Sequence, residues 1–331
     1  AATHPNGFSP RDRTGRPRAF PAFLSRRVAA SMIRSTQLML SKGMGGAERY
    51  FVDLCLALAE RGHPVQAIFH RHFVARGELE NRPNIDCVPV RIFGAWDLFA
   101  RRAILQQVRR FSPQLMQAHL ARGAYIGGQI CGALKLPLTV KTHNLVNLKY
   151  YRRVDHFIAT TAAQKAYLQG HDVAATRISV IPNFSALSPV MEAPAPHTPL
   201  RLCSYGRMVK KKGFDILLRA FRVFLDSGHT GFLSIGGDGE ERAALEALSR
   251  SLGLETQVAF IGWVAEPAKT LDACDVFVLP SLDEPFGIVL LEAMARGKAI
   301  IATRTQGPLE IFDETAAWLV ETGNTGPLAR A

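Results

Sequence analysis

Short apolar runs alternate with amphipathic segments along most of this chain, and that alternation constrains the fold more than any other feature. Strand-like runs are found at 36–40, 64–69, 85–90, 114–119, 136–143, 156–161 and 177–182. Helix-like segments lie between them at 47–60, near 101–110 and up to about 134. Strands that alternate with helices in this way predict a parallel sheet covered by helices on both faces.

The alternation stops over residues 185–199, which are rich in Pro, Ala and Ser and are typical of a linker. Further strands are then predicted at 201–206, 231–237, 257–262, 276–280 and 299–303, with helices near 214–227, 240–252, 267–272 and 287–296. We therefore predict an α/β fold with two Rossmann-like domains, 32–184 and 200–331, that face each other across a cleft. Open sheets of this kind bind ligands at the carboxyl ends of their strands.

The two ends of the chain differ from the rest. Residues 1–31 carry six Arg, four Pro and one acidic residue without periodicity, which predicts a disordered leader or a remnant of upstream or cloning sequence. A transit peptide is an alternative for so Arg-rich a leader. At the other end, the last unit lacks its closing helices, so we expect a truncated C-terminal domain.

Composition limits the classes of protein to consider. The net charge of +12 favours an anionic partner, without choosing among nucleic acid, lipid and phosphorylated substrates. No apolar run approaches the roughly 18 residues of a membrane span, and no secretory signal is present, so we expect a cytoplasmic protein, at most peripheral at the inner face of the membrane. Five scattered cysteines without a C-x-x-C pair predict reduced core thiols.

The segment SLDEPFGIVLLEAMARGKAIIAT (281–303) leads from a strand through a loop to a helix that begins near Gly287. The unpaired amides of a helix start suit a phosphate. Glu292 lies in an otherwise apolar helix, where a buried carboxylate needs donors such as sugar or ribose hydroxyls. Glu284 precedes the helix, where it can meet a sugar ring. The alternative is that Glu284 is exposed in a turn and Glu292 lies on the solvent edge of the helix.

A basic loop follows the first strand of the second unit and carries Arg207, Lys210, Lys211 and Lys212. Arg207 can bind two phosphate oxygens with its planar guanidinium, whereas lysine supplies a point charge. The alternative is a solvated basic turn.

A glycine-rich loop joins the first strand and helix of the first unit, where Gly45 and Gly46 offer free amides. Glu48 breaks a dinucleotide-binding G-x-G-x-x-G pattern, and no P-loop is present. His119 and His143 end strand-like segments near the same cleft, and each is either structural or catalytic.

Together these segments resemble the GT-B glycosyltransferases of family 4, retaining enzymes that use UDP-, GDP- or ADP-sugars. The resemblance covers about residues 33–325. It rests on E-P-F-G-I-V-L-L-E (284–292), which is similar to the E-x7-E element, on G-R-M-V-K-K-K-G (206–213), on the glycine loop 45–49 and on the interdomain segment V-I-P-N (180–183). Phe184 and Thr160–Thr161 depart from the family pattern, as do the missing C-terminal helices.

The resemblance implies a role for each matched residue. Arg207 and Lys212 would bind the donor diphosphate, Glu284 the transferred sugar and Glu292 the ribose. The donor-binding set also includes Gly45 and Gly46 over the phosphates and Phe286, Gly287 and Ile288 at the helix start. His119 would approach the sugar, so that Glu284, His119, Arg207 and Lys212 form the implied catalytic set. Segments 236–240 and 260–263 would surround the base.

The implied reaction is retaining transfer of a hexose from a nucleotide diphosphate sugar to a glycan or glycolipid acceptor of the cell envelope. The leaving phosphate would help to take the acceptor's proton. Because the sequence has no D-x-D motif, we expect no metal. The nucleotide sugar would be a substrate, so we expect no cofactor.

An anionic membrane surface is a further expected partner. Arg101, Arg102, Arg109 and Arg110 bracket a partly apolar helix that can rest on lipid headgroups. A solvated helix is the alternative. Two other functions stay open, a nucleotide-sugar epimerase of the same form and a nucleic-acid-binding protein. We expect no nucleic acid, because six Tyr and three Trp offer little for base stacking.

Overall fold

A computed structural model describes residues 32–94, 96–192, 195–313 and 315–331. Its described residues form two parallel β-sheets with helices on both faces, which confirms the predicted fold class. The predicted leader 1–31 lies outside the described residues. No helix among those described combines the length and hydrophobicity that crossing a bilayer requires.

The first sheet contains seven parallel strands in the order β3-β2-β1-β4-β5-β6-β7. Their bounds are β1 Ser35–Met39, β2 Val65–His70, β3 Ile85–Val90, β4 Leu115–His119, β5 Leu138–Thr142, β6 His156–Ala159 and β7 Ile178–Val180. The helices of this half are α1 Gly46–Glu60, α2 Leu98–Phe111, α3 Leu120–Leu134 and α4 Ala162–Gln169.

The second sheet contains six parallel strands in the order β10-β9-β8-β11-β12-β13. Their bounds are β8 Leu200–Tyr205, β9 Gly231–Gly236, β10 Val258–Gly262, β11 Val276–Leu279, β12 Ala299–Thr303 and β13 Trp318–Val320. The helices are α5 Phe214–Asp226, α6 Arg242–Ser251, α7 Pro267–Asp272, α8 Ile288–Ala295, α9 Gln306–Ile311 and α10 Thr325–Arg330.

Both faces of each sheet are buried, and this explains why the strands are apolar runs rather than alternating patterns. In β1, Leu38 packs in one core and its neighbour Met39 in another on the opposite face. In β11, Phe277 and Val278 divide in the same way. Successive side chains of a strand point to opposite faces, so each sheet holds two apolar layers against its helices.

The structure contains elements that the sequence pattern did not predict. These are the short strand β13 and the helices α4, α9 and α10. Of these, α10 packs against α5 and places Leu328 in the core of the second half. The predicted linker has no helix or strand in its described parts, 185–192 and 195–199. The predicted domain limits stay a prediction.

Candidate active site

The central strands of both sheets end at the loops that carry the predicted site residues. β4 ends at His119 beside β1, and β8 ends at Tyr205 beside β11. The connections that follow β1 and β4 run to opposite faces of the first sheet, and those that follow β8 and β11 run to opposite faces of the second. A crevice opens between the two strands of each pair. The glycine loop 40–46, the basic loop 206–213 and the loop before α8 begin at these crevices.

The start of α8 depends on the glycine that precedes it. Gly287 has a φ of 89°, a left-handed conformation that glycine adopts without steric cost. A Cβ atom there would lie 3.0 Å from Cδ1 of Leu290. The first amides of α8 have no helical acceptors, so an anion at this end of the loop can accept hydrogen bonds from them.

Lys212 and Glu284 come together from separate motifs. Nζ of Lys212 lies 2.5 Å from Oε2 of Glu284, and both side chains are largely buried. Oγ of Ser281 lies 3.4 Å from the same carboxylate oxygen. The alternative of an exposed Glu284 is wrong, because only 7% of its surface is accessible.

The other two lysines of the basic turn point into solvent. Lys210 pairs with the half-buried carboxylate of Asp215 at 3.8 Å, and Lys211 pairs with the exposed carboxylate of Asp283 at 3.0 Å. The solvated-turn alternative therefore describes Lys210 and Lys211, whereas Lys212 is turned into the crevice.

Arg207 is the predicted site residue with the fewest contacts. Its side chain is exposed and makes no ion pair or hydrogen bond with any residue that the structure describes. The backbone beside it is firmly held, because the amide of Met208 donates to the carbonyl of Asp238 at 2.8 Å. The structure thus places Arg207 at the mouth of the crevice without bringing it to Lys212 and Glu284.

The two segments implied to surround the base lie against the basic loop. A Cβ atom on Gly237 would stand 1.9 Å from the carbonyl oxygen of Gly206, so the two backbones touch, and the φ of 121° at Gly237 also requires glycine. The amide of Gly237 donates to the carbonyl of Gly262 at 2.6 Å. Segments 206–208, 236–240 and 260–263 therefore converge at one edge of the second sheet.

Glu292 is buried, so the alternative of a solvent-exposed position on α8 is wrong. The hydroxyl of Tyr205 donates to its Oε2 at 2.7 Å. Burial raises the pKa of the Glu292 carboxyl, and the hydrogen bond from Tyr205 opposes that shift. The charges of Asp53 and Arg49, an ion pair on α1, also act on the pKa of Glu292. Tyr205 supplies a donor that the sequence analysis had sought only in a ligand.

The glycine loop faces the start of α8 from the first half. Gly45 is extended at the start of α1, and a Cβ atom on Gly46 would lie 3.9 Å from Cδ1 of Ile288. Phe286, Ile288 and Tyr50 are buried together as a small apolar cluster. The side chains of Phe286 and Ile288 are thus committed to packing between the halves.

His119 lies beneath this cluster and has no exposed surface. Its ring nitrogens stand 3.3 Å from Oε1 of Gln37 and 3.4 Å from Nε2 of His143. Burial, followed by the charge of Lys141, lowers the pKa of His119 to about 3, so the imidazole is neutral at physiological pH. The approach of His119 to the sugar stays a prediction. The centre of the Tyr50 ring lies 6.0 Å from the centre of the His119 ring.

Lys141 and Tyr50 are central residues that the sequence analysis missed. Lys141 is buried in β5, and its ammonium donates to the carbonyl of Ile181 in the segment that leads to the second half. The ammonium also lies 4.9 Å from the centre of the Tyr50 ring. Burial lowers the pKa of Lys141 to about 7. A lysine inside the apolar run LPLTVKTH was the available sequence signal.

The start of α4 joins the two halves through polar contacts. The side-chain amide of Gln306 donates to Oγ1 of Thr161 at 2.8 Å. The backbone amide of Ala162 donates to Oε1 of Glu310 at 2.7 Å. Thr161, one of the departures from the family pattern, thus accepts a hydrogen bond from α9.

Two family models match the chain. Residues 44–187 match the model described as "Glycosyltransferase Family 4", and residues 191–331 match the one described as "Glycosyl transferases group 1". Both describe glycosyltransferases, so neither supports the epimerase or the nucleic-acid-binding alternative.

Curated relatives agree with these models, and solved structures share the fold of this chain. The chain is 31% identical to the lipopolysaccharide core biosynthesis glycosyltransferase LpsE of Rhizobium meliloti, over 87% of this chain and 84% of LpsE. It is also 31% identical to LpsD of the same organism, over 87% of this chain and 83% of LpsD. The crystal structure of Anabaena HepE with UDP superposes with a TM-score of 0.76 at 20% identity, over 90% of this chain and 88% of HepE. The structure of WaaG, a glycosyltransferase involved in lipopolysaccharide biosynthesis, gives 0.66 at 17% identity, over 90% and 89%.

Proposed function

This chain belongs to the glycosyltransferases of family 4, and from that membership we propose that it moves a hexose, with retention of configuration, from a nucleotide diphosphate sugar to a glycan or glycolipid acceptor of the cell envelope. The observation that carries the proposal is that Lys212 pairs with Glu284 beside the start of α8, where a Cβ atom on Gly287 would lie 3.4 Å from Cγ of Glu284.

The leaving group decides which residues matter. Cleavage of the sugar–phosphate bond leaves added negative charge on the nucleoside diphosphate and an oxocarbenium-like sugar. Lys212, the α8 amides and Arg207 at the crevice mouth are the groups that would stabilise that charge. Preorganised groups of this kind are each worth roughly 3–4 kcal/mol in the transition state.

Glu284 takes the sugar side of the site in this proposal. Its carboxylate accepts from Lys212, so a diphosphate that draws the ammonium away would free the carboxylate for sugar hydroxyls. Glu292 binds the ribose hydroxyls, and Tyr205 orients its carboxylate. Loops 236–240 and 260–263 enclose the base.

The acceptor binds from the first half. His119 is neutral, so it would act on the sugar by hydrogen bonding rather than by charge. The leaving phosphate accepts the acceptor's proton, and the sequence offers no D-x-D motif for a metal. The names of LpsE and LpsD support an acceptor in lipopolysaccharide core or related polysaccharide assembly. HepE structures with UDP and UDP-glucose support a UDP-sugar among the candidate donors.

Product analysis tests this proposal. The protein is incubated with UDP-, GDP- or ADP-hexoses and with truncated lipopolysaccharide core, and the products are identified by mass spectrometry and NMR. We expect stoichiometric nucleoside diphosphate and a glycosylated acceptor with the anomeric configuration of the donor. An epimerised nucleotide sugar, or an inverted linkage, would overturn the proposal.

A further inference from the structure

Large apolar side chains stand in solvent at the start of α2. The exposed fractions are 79% for Phe93, 82% for Trp96, 62% for Leu98 and 90% for Phe99. Side chains of this size rarely cluster on a free surface, and exposed apolar patches mark interaction sites. We refer to Phe93, Trp96, Leu98 and Phe99 as the aromatic wedge.

The aromatic wedge is held in place by its own hydrogen bonds and ring contacts. The two carboxylate oxygens of Asp97 accept from the amides of Ala100, at 2.9 Å, and Phe93, at 3.1 Å. The Trp96 ring packs edge-on against Tyr125 with ring centres 5.4 Å apart. These contacts hold the side chains of the aromatic wedge outside the core, where a lipid bilayer or another protein can cover them.

An open apolar cavity of about 760 Å³ adjoins the wedge. The carboxyl end of β3 forms one wall with Val88 and Val90, and α2 forms the other with Phe99 and Ala103. The edge of the sheet thus offers both a protruding apolar surface and a recess beside it.

Basic side chains share the wedge's face of α2. At 3.6 residues per turn, Arg102, Arg109 and Arg110 lie on the same side of the helix as Phe99. All three are exposed, whereas Ala100, Ile104 and Val108 bury the opposite face. Residues 91–110 contain five arginines and one acid, Asp97, whose carboxylate is used within the loop.

We propose that the aromatic wedge inserts into the interface of an anionic lipid bilayer while the arginines of α2 bind the headgroups. Apolar insertion flanked by basic residues is how helices lie in a membrane surface. A second copy of this chain fits less well, because docking two such faces would bring their arginines together.

The position of the wedge connects it to the cleft. β3 is parallel to β1 and β4, so its carboxyl end lies at the same edge of the sheet as His119. Insertion of the wedge would therefore turn the acceptor side of the cleft towards the lipid surface. The inference does not depend on sugar transfer and is tested without a donor.

Vesicle flotation of the full chain tests the wedge. We expect binding to vesicles of phosphatidylglycerol and phosphatidylcholine, and at least tenfold weaker binding for the variant Phe93→Ser, Trp96→Ser, Phe99→Ser. The variant Arg102→Gln, Arg109→Gln, Arg110→Gln should bind the vesicles more weakly than wild type. The binding that remains should no longer depend on salt concentration. Residues 1–31 remain in every variant, so their arginines contribute equally throughout.

Met191→Ser with Trp318→Ser serves as the matched control, because both side chains are exposed elsewhere on the protein. This control should bind vesicles like wild type. Equal binding of the wedge variant and wild type would overturn the inference, and so would wedge-dependent dimerisation in the absence of lipid.

Tryptophan fluorescence gives a second readout that does not depend on the serine variants. With Trp263→Phe and Trp318→Phe, Trp96 is the remaining tryptophan of the chain. We expect its emission to shift to shorter wavelength with anionic vesicles and to be quenched by brominated lipid. Unchanged emission would overturn the inference. Vesicle binding without any sugar transfer would contradict only the proposed function.

Discussion

At the scale of single residues, the candidate site depends on competition for the ammonium of Lys212. Lys212 and Glu284 are paired at 2.5 Å in a largely buried crevice. A diphosphate carries more charge than one carboxylate, so it would compete with Glu284 for the same group. Lysine suits this exchange because its ammonium is a point charge on a flexible stem.

Replacement of this lysine tests its role in turnover. We expect Lys212→Met to lower kcat by about 10²–10³, which corresponds to roughly 3–4 kcal/mol of lost transition-state stabilisation. Lys211→Met is the matched control, since Lys211 lies in the same turn but pairs with exposed Asp283. A Lys212→Met enzyme as active as the Lys211→Met enzyme would refute the assignment.

Lys141 gives a prediction about stability and pH. Its pKa is lowered to about 7 in the folded protein from an ordinary value of 10.5, so the unfolded chain binds more protons between these values. The free energy of unfolding contributed by this residue therefore rises as pH increases above about 7. Denaturant titrations at pH 7 and pH 9 should show wild type gaining stability relative to Lys141→Met. Lys149→Met, on the surface, should show no such difference from wild type.

The sequence predicted which residues gather at the site better than it predicted their surroundings. Glu292 was identified because a carboxylate stood in an apolar helix, but its donor, Tyr205, is 87 positions away in the chain. Lys141 stood out as a lysine in an apolar run, but nothing in the pattern pointed to its contact with Tyr50. Long-range partners of this kind depend on which strands are neighbours, and the pattern of residues along the chain does not specify that order.

At the scale of elements, the backbone conformation of Gly287 determines how α8 begins. The φ of 89° at Gly287 sets the direction in which the first amides of the helix point. Any other L-residue there is strained, and a Cβ atom would also crowd Leu290.

Gly287→Ala should separate donor binding from stability. We expect a loss of roughly 1–2 kcal/mol in the free energy of unfolding from the left-handed conformation, together with weaker donor binding. Gly228→Ala is the matched control, because Gly228 has the same φ of 89° and open space around its Cβ position. The control should lose similar stability and bind nucleoside diphosphate normally. Equal donor affinity in both variants would show that the start of α8 does not bind the donor.

Elements were predictable where their pattern was long and strongly apolar. The strand at 85–90 and the helices near 47–60 and 214–227 agree with β3, α1 and α5 within one residue at each end. α4 was missed because its buried face carries the polar Gln164 beside Leu168. α9 was missed because it contains Gly307 and Pro308, which are typical of turns. β13 was missed because its three residues gain their order from pairing with β12.

At the scale of the whole molecule, the described parts of the two halves meet through an apolar cluster and two hydrogen bonds. Tyr50 of α1 packs with Phe286 and Ile288 beside α8. The start of α4 is joined to α9 by Thr161–Gln306 and Ala162–Glu310. Under the proposed function, a donor bound to one half would reach an acceptor on the other only in the geometry that these contacts set.

Glu310→Ala tests one of these contacts. Glu310 accepts from the first amide of α4 across the halves, and an acid at a helix start contributes about 0.3–1 kcal/mol. We expect kcat/KM to fall about two- to fivefold, with donor affinity nearly unchanged. Glu255→Ala, at an exposed position elsewhere, should leave kcat/KM at the wild-type value. A large loss of donor affinity in Glu310→Ala would contradict this assignment.

The proposed function requires that Lys212 and the first amides of α8 form one anion site for the departing diphosphate. A crystal structure with bound nucleoside diphosphate, chosen by calorimetric titration with UDP, GDP and ADP, would reveal this site. We expect a terminal phosphate within hydrogen-bond distance of Nζ of Lys212 and of the backbone amides of Gly287 and Ile288. A diphosphate bound away from these three groups would show that they form no such site.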